Sequence, residues 1–98
     1  MDDPVTVISH IRARQGYEAI VQDLLVKLVG PTRAEEGCIA YSLHQSLIDP
    51  KLFMLYQTWE SEAYFERHGT TPHTAGFRRV APTVLEGPIA QTRWKTVN

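Results

Sequence analysis

Residues 38–60, CIAYSLHQSLIDPKLFMLYQTWE, have the pattern of two β-strands joined by a turn. In CIAYSLHQS (38–46), apolar residues alternate with small or polar ones, and a period of two is typical of a strand. LIDPK (47–51) supplies the turn, and LFMLYQTWE (52–60) is a nearly continuous apolar run. Two such segments around a short turn predict an antiparallel hairpin.

A strand and a helix are predicted before this hairpin. VTVISHIRAR (5–14) alternates with a period of two and is rich in β-branched residues, which predicts a first strand. After a turn at Gln15-Gly16, the apolar residues over 17–29 recur at helical spacing. Gly30-Pro31 is expected to interrupt this helix, with one further turn in TRAEEG (32–37). One face of the strand carries Val5, Val7, Ser9, Ile11 and Ala13, and the other carries Thr6, Ile8, His10, Arg12 and Arg14.

Two helices and a last strand are predicted after the hairpin. Ser61 is suited to cap a helix over 62–69. Thr71, followed by a proline at the first helical position, is suited to start a second helix over 72–85. IAQTRWKTV (89–97) then has the composition of a final strand.

The order of these elements predicts an α+β fold. Strand, helix, strand, strand, helix, strand is the split βαβ arrangement of a ferredoxin-like domain, with a four-stranded antiparallel sheet and helices on one face. We expect a single domain over residues 1–98. The uncovered face of the sheet would carry apolar side chains, and a second copy of the chain is the simplest partner for it.

Composition excludes several classes of function. The formal net charge is -1 and no basic stripe is present, so nucleic-acid binding is not expected. The single cysteine, Cys38, excludes an internal disulfide and fits a reducing, cytoplasmic location. No signal-peptide pattern is seen, and no apolar run approaches the roughly 20 residues that a membrane-spanning helix requires.

Neither a metal nor an organic cofactor is expected from the motifs. His68 and His73 are five positions apart with a helix break between them, unlike the two histidines of a zincin helix. The nearest carboxylates in sequence, Glu62 and Glu66, do not complete a two-histidine, one-carboxylate spacing. Glycine-rich phosphate or dinucleotide motifs are not present either.

The aromatic residues and histidines after the hairpin can form a small-molecule pocket or only a packed corner of the core. Trp59 ends the third strand, and a helix that folds back from it brings His68 to the same region. Pockets of small α+β domains often lie between sheet and helices. The candidate lining residues are Trp59, Phe65, His68, His73, Phe77 and Arg79, with Ser9, His10 and His44 approaching from the strands.

Several stretches taken together resemble a known family. They are TVISHIRARQG, PTRAEEGCIAYSLHQSLIDPKLFMLYQTWES and HGTTPHTAGF. Over about residues 4–96 the chain resembles the antibiotic biosynthesis monooxygenase (ABM) domain, of the small quinol-monooxygenase type. The resemblance implies a homodimer in which two sheets form an α+β barrel, with one pocket in each protomer. It also implies oxygenation of phenols, hydroquinones or polyketide anthrones by O₂ without metal, flavin or haem.

The resemblance also assigns roles to residues at the pocket. The strand-three tryptophan of the family corresponds to Trp59, the helix histidines to His68 and His73, and an arginine of one branch falls near Arg79. We expect His68 to be the general base, with His73 as second choice. Trp59 is expected to stack on the substrate ring, and Arg79 to hold a developing oxyanion.

Two departures from the family pattern leave other functions open. Leu55 and Gln57 stand near the position of an asparagine that the polyketide branch uses. Ser9 stands where a haem-degrading branch has an asparagine. The preferred function is a cofactor-independent monooxygenase acting on a quinol, phenol or polyketide-like aromatic. The alternatives are a haem-degrading monooxygenase and a non-catalytic, dimeric small-molecule-binding or stress-response domain.

Overall fold

The hairpin predicted from residues 38–60 is present and supplies two neighbouring strands of a four-stranded sheet. The computed structural model describes residues 3–98. Its elements are β1 (Val5–Arg12), α1 (Glu18–Arg33), β2 (Cys38–Gln45), β3 (Leu52–Trp59), α2 (Glu62–His68), α3 (Pro72–Val84) and β4 (Ala90–Trp94). This β-α-β-β-α-α-β order confirms the ferredoxin-like α+β prediction. No helix within the described residues is long and apolar enough to cross a membrane.

The sheet has the strand order β2-β3-β1-β4, and every neighbouring pair is antiparallel. In its register Gln57 lies opposite Val7 on one side and opposite Tyr41 on the other. Because directly paired residues point to the same face, these three side chains share the face that the helices cover. Val7, Tyr41 and Gln57 are all buried.

The core lies between this face of the sheet and helices α1 and α3. The predicted alternation of β1 is confirmed, since Val7, Ser9, Ile11 and Ala13 are all buried. Each large apolar side chain buried in this way contributes about 1.5–3 kcal/mol before entropy costs. The core cluster consists of Ile11, Ala13, Val21, Leu25, Leu28, Tyr41, Phe53, Leu55, Phe77, Val84 and Leu85.

Helix α1 differs from the prediction because it runs through Gly30-Pro31 to Arg33 without interruption. Proline removes one backbone N–H donor and leaves the carbonyl four residues earlier without its helical partner. That carbonyl belongs to Lys27, and both Lys27 and Pro31 are exposed. Water can therefore satisfy the free carbonyl, and the rest of the helix is held by its buried side.

Strand β4 is shorter than predicted and is exposed along its length. It covers Ala90–Trp94 rather than residues 89–97. It lies at the edge of the sheet and pairs only with β1, over Thr6–His10. Because Trp94 lies opposite Thr6 and β1 begins at Val5, β1 offers almost no partner for the residues that follow Trp94.

Candidate functional site

A cavity of about 360 Å³ lies between the sheet and the helices. This size is at the lower end of the range of about 300–1,000 Å³ that is usual for small-molecule sites. Apolar walls are formed by Ile11, Leu28, Leu55, Phe65, Phe77, Ala81 and Ile89. Polar groups are contributed by Ser9, Tyr41, Gln57, Glu66, His68, Thr74, Arg78 and Gln91.

Short capping motifs bring His68 to this cavity. Ser61 lies two residues after the end of β3, and its Oγ accepts a hydrogen bond from the Tyr64 backbone N–H, so α2 begins at the next residue. The helix has 7 residues and ends at His68, which is buried. Thr71 Oγ1 donates to the His68 carbonyl at 2.8 Å and caps α3. The chain therefore turns immediately after His68 and fixes the position of its ring.

The carboxylate of Glu35 joins the two helix histidines. His68 Nδ1 and His73 Nε2 each lie 2.7 Å from the same atom, Glu35 Oε2. Glu35 stands in the turn between α1 and β2, where its backbone N–H donates to the Thr32 carbonyl. Gly37 completes this turn with φ +86°, a conformation that favours glycine. The side chain of Glu35 is only 13% exposed.

These contacts decide which tautomer His68 adopts. A carboxylate oxygen only accepts hydrogen bonds, so His68 carries its hydrogen on Nδ1 when the ring is neutral. Nε2 then has a free lone pair, and its nearest hydrogen-bonding neighbour is Thr74 Oγ1, a weak contact at 3.5 Å. The ring lies 4.9 Å from the Trp59 ring with an interplanar angle of 34°. The ring is therefore held by Glu35 and Trp59, and Nε2 is the nitrogen left without a strong partner among the described residues.

Two other ionisable groups near the site are held in their neutral forms. Burial raises the pKa of Tyr41 to about 12, so this phenol stays protonated at neutral pH. Burial, together with the charge of Glu35, raises the pKa of the Cys38 thiol. A protonated thiol is a poor nucleophile, so Cys38 does not act as one here.

Glu35, His68 and His73 also form a group that could hold a metal ion, since their ligand atoms all lie within 4.8 Å of one another. Glu62 and Glu66 are the nearest carboxylates to these histidines in the sequence, and no spacing marks Glu35 as their partner. The 2.7 Å contacts are hydrogen-bond distances. Two ligand atoms of one zinc ion, each at about 2.0–2.1 Å from it, would be roughly 3 Å apart or more. The geometry favours a hydrogen-bonded cluster.

Five of the residues predicted at the pocket do not line it, and three of these five are exposed. His10 is exposed and follows the cavity residue Ser9, so its side chain points to the opposite face of the sheet. His44 is exposed near the end of β2, and its Nε2 lies 3.0 Å from Ser42 Oγ. Arg79 is exposed on α3, and its neighbour Arg78 lines the cavity instead. Ser9, Phe65, His68 and Phe77 do line the cavity, while His73 lies behind His68 at Glu35.

Trp59 has a different position from the one expected. It is 0% exposed and packs against His68 rather than forming a cavity wall. Its Nε1–H donates to Gln57 Oε1 at 2.8 Å, and Gln57 is the residue that lines the cavity. The predicted stacking of Trp59 on a substrate ring is therefore wrong for this geometry. Gln57 and Trp59 are two positions apart in β3 and so share a face of the sheet. The Trp59 ring, however, packs against His68 of α2 and does not reach the cavity.

Comparisons with known proteins agree with this fold. The family model described as antibiotic biosynthesis monooxygenase matches residues 4–80. The chain is 32% identical over 92 residues to "Putative monooxygenase Rv0793" of Mycobacterium tuberculosis, which covers 94% of this chain and 90% of that protein. It is 35% identical over 94 residues to "Probable quinol monooxygenase YgiN" of Escherichia coli, with 84% of this chain and 89% of that protein covered. The crystal structure of PA3566 from Pseudomonas aeruginosa has a TM-score of 0.94 and 34% identity, over 100% of this chain and 98% of that chain.

Proposed function

The chain belongs to the antibiotic biosynthesis monooxygenase family, and from that premise we propose that it oxidises a small hydroquinone or related phenol with O₂ without a bound cofactor. Family membership and the names of the relatives support a general monooxygenase function. The choice of a quinol follows the printed name of one relative and the small, largely apolar cavity.

The observation that carries this proposal is the contact between Glu35 and His68 at the cavity. A phenolate gives an electron to O₂ far more readily than a phenol does, so removal of the phenol proton comes first. His68 Nε2 is the atom proposed to take this proton, because Nδ1 is occupied by Glu35. The imidazolium that results is stabilised by the carboxylate 2.7 Å away.

The overall reaction balances without an external reductant. A hydroquinone and O₂ give a hydroxyquinone and water, with one oxygen atom added to the ring and the other released as water. The hydroquinone supplies all four electrons, two from ring hydroxylation and two from its oxidation to the quinone. The protein's part is to remove a proton, exclude water and orient the ring.

His73 has a supporting part in this proposal. Its Nε2 is directed at Glu35 Oε2, so that nitrogen is not available to a substrate in the cavity. Its contact with the same oxygen at 2.7 Å holds the Glu35 side chain in place for His68. His68 is therefore preferred over His73 as the base.

Oxygen uptake with a panel of substituted hydroquinones tests the proposal. We expect consumption above the rate of autoxidation, and we expect His68→Ala to lower turnover about 10²–10⁴-fold, the usual contribution of a general base. Wild-type protein that binds hydroquinones without O₂ uptake is instead a non-catalytic binding domain. A Soret band on addition of haem, followed by loss of the haem, would favour the haem-degrading alternative.

A further inference from the structure

The orientation of the Gln57 side-chain amide is fixed by Trp59. An indole N–H is a donor only, so the Gln57 atom that faces it at 2.8 Å must be the oxygen. The amide nitrogen consequently points away from Trp59. Gln57 is 2% exposed and borders the cavity, yet its Nε2 makes no hydrogen bond to any of residues 3–98. Its two N–H donors are thus left without an acceptor among the described residues, at a residue that borders the cavity.

Ser9 provides a second polar group on the side of the cavity that the sheet forms. Its Oγ accepts a hydrogen bond from Gln91 Nε2 at 3.1 Å, and its own hydroxyl hydrogen has no acceptor within residues 3–98. Ser9 is two positions from Val7, the β1 partner of Gln57. Diagonal neighbours of this kind are about 7–8 Å apart, so one small ring can reach both groups. The side of the cavity formed by the sheet therefore offers hydrogen-bond donors at Ser9 and Gln57, beside apolar residues such as Ile11 and Leu55.

We propose that Gln57 holds a ring oxygen of the substrate, a phenolate or quinone carbonyl, through its amide N–H groups, and that Trp59 is the positioning residue that directs them. This rests on the proposed function and narrows its substrate. The cavity of about 360 Å³ has room for a small aromatic ring system, with an oxygen acceptor toward the sheet and the ionising hydroxyl toward His68.

Binding of 4-nitrophenol tests the proposal without turnover. The anion is titrated into wild-type protein and variants by calorimetry, and nitrobenzene, which lacks the phenolic oxygen, is the matched probe. We expect Gln57→Leu to weaken binding of the anion about tenfold, the size of one good hydrogen bond to a charged group. Binding of nitrobenzene should change less than about twofold, because its apolar contacts remain.

Two further variants separate the proposal from a merely structural role. Gln57→Glu keeps an acceptor for the Trp59 N–H, so the core contact persists while the two donors are lost. Gln57→Glu should therefore weaken binding of the anion at least as much as Gln57→Leu does. Trp59→Phe keeps a ring against His68 but frees the Gln57 amide to rotate. It should therefore weaken binding of the anion less than Gln57→Leu does. Combined with Gln57→Leu it should add nothing, because the group it positions is gone.

The outcomes are distinct from those of the oxygen assay. We call the proposed contact between the Gln57 amide and the ring oxygen the Gln57 anchor. Loss of anion binding in folded Gln57 variants, with binding of nitrobenzene unchanged, supports this anchor even if no hydroquinone is turned over. The anchor is refuted if wild-type protein binds neither probe, or if it binds the anion no better than nitrobenzene. It is also refuted if folded Gln57→Leu and Gln57→Glu proteins bind the anion as wild type does. Thermal melting of each variant establishes that it is folded.

Discussion

At the scale of single residues, the contact between Glu35 and His68 has the most direct consequence for turnover. We expect Glu35→Gln to lower turnover roughly 10- to 100-fold, less than removal of the base itself. The amide can still accept one N–H, but it carries no charge to stabilise the His68 imidazolium. The loss should be in kcat more than in KM, since Glu35 does not line the cavity. Steady-state oxygen uptake over a range of substrate concentrations measures both constants.

Glu36→Gln is the matched control for this change. Glu36 is the next residue, but it is exposed and contacts Tyr64 and Arg67 rather than the histidines. Exposed ion pairs contribute little, so its turnover and stability should stay near wild type. Equal losses of turnover in Glu35→Gln and Glu36→Gln would contradict this. They would show that the Glu35 carboxylate acts only through the net negative charge of this turn and not through its contact with His68.

The residues of the site could be predicted from sequence only where they are close together along the chain. Phe65 and His68 follow the third strand within a few residues, so one helix brings them to the region of Trp59. Glu35 is 33 residues before His68, and no local pattern marks it as a partner. In the sequence, Glu35 is marked only as part of the EEG stretch (35–37), which belongs to the segments that resemble the family. The Trp59 contact with Gln57 depends on side-chain rotamers, which period-two alternation does not specify.

At the scale of elements, the turn between α1 and β2 is the segment on which the site depends. Gly37 has φ +86°, and a Cβ there would clash with the Tyr64 side chain at Cγ. Gly37→Ala should therefore lose more than the roughly 1–2 kcal/mol that a left-handed alanine costs alone. It should also displace Glu35 and lower turnover. Urea unfolding gives the change in the free energy of unfolding.

Two other glycines separate the contributions to this loss. Gly16 has φ +88° with nothing within 4 Å of the added Cβ, so Gly16→Ala measures the backbone cost without a clash. Gly76 lies inside α3 in open space, and Gly76→Ala should stabilise the protein by about 0.5–1 kcal/mol. A Gly37→Ala loss no larger than that of Gly16→Ala would mean that Tyr64 moves aside at little cost.

The elements themselves were predictable because their signals are local. The turn and alternation of residues 38–60 and the caps at Ser61 and Thr71 specify strands and helix starts within a few positions. The continuation of α1 through Gly30-Pro31 was not predictable in this way. Whether a proline ends a helix depends on which side of the helix is buried, and that is decided by packing against the sheet.

At the scale of the whole molecule, the face of the sheet away from the helices is the feature that remains uncovered in one chain. Tyr56 is 39% exposed and Trp94 is 55% exposed, and both lie on this face with Ile8 and Met54. Apolar side chains grouped on one face commonly mark an interface. β4 contributes to this face and is held on only one side, so a partner would also protect the exposed edge of the sheet.

We predict that two copies pair through this face to form a homodimer, and light scattering should return twice the 11.1 kDa chain mass at micromolar concentration. Tyr56→Arg places a charge in the middle of the proposed interface and should shift the protein toward monomer, because an unpaired charge is costly to bury. Ile20→Arg is the matched control, since Ile20 is 50% exposed on α1, on the other side of the sheet. A stable interface should bury more than about 1,000 Å² in total. The prediction fails if wild-type protein has the mass of one chain, or if Ile20→Arg dissociates the dimer and Tyr56→Arg does not.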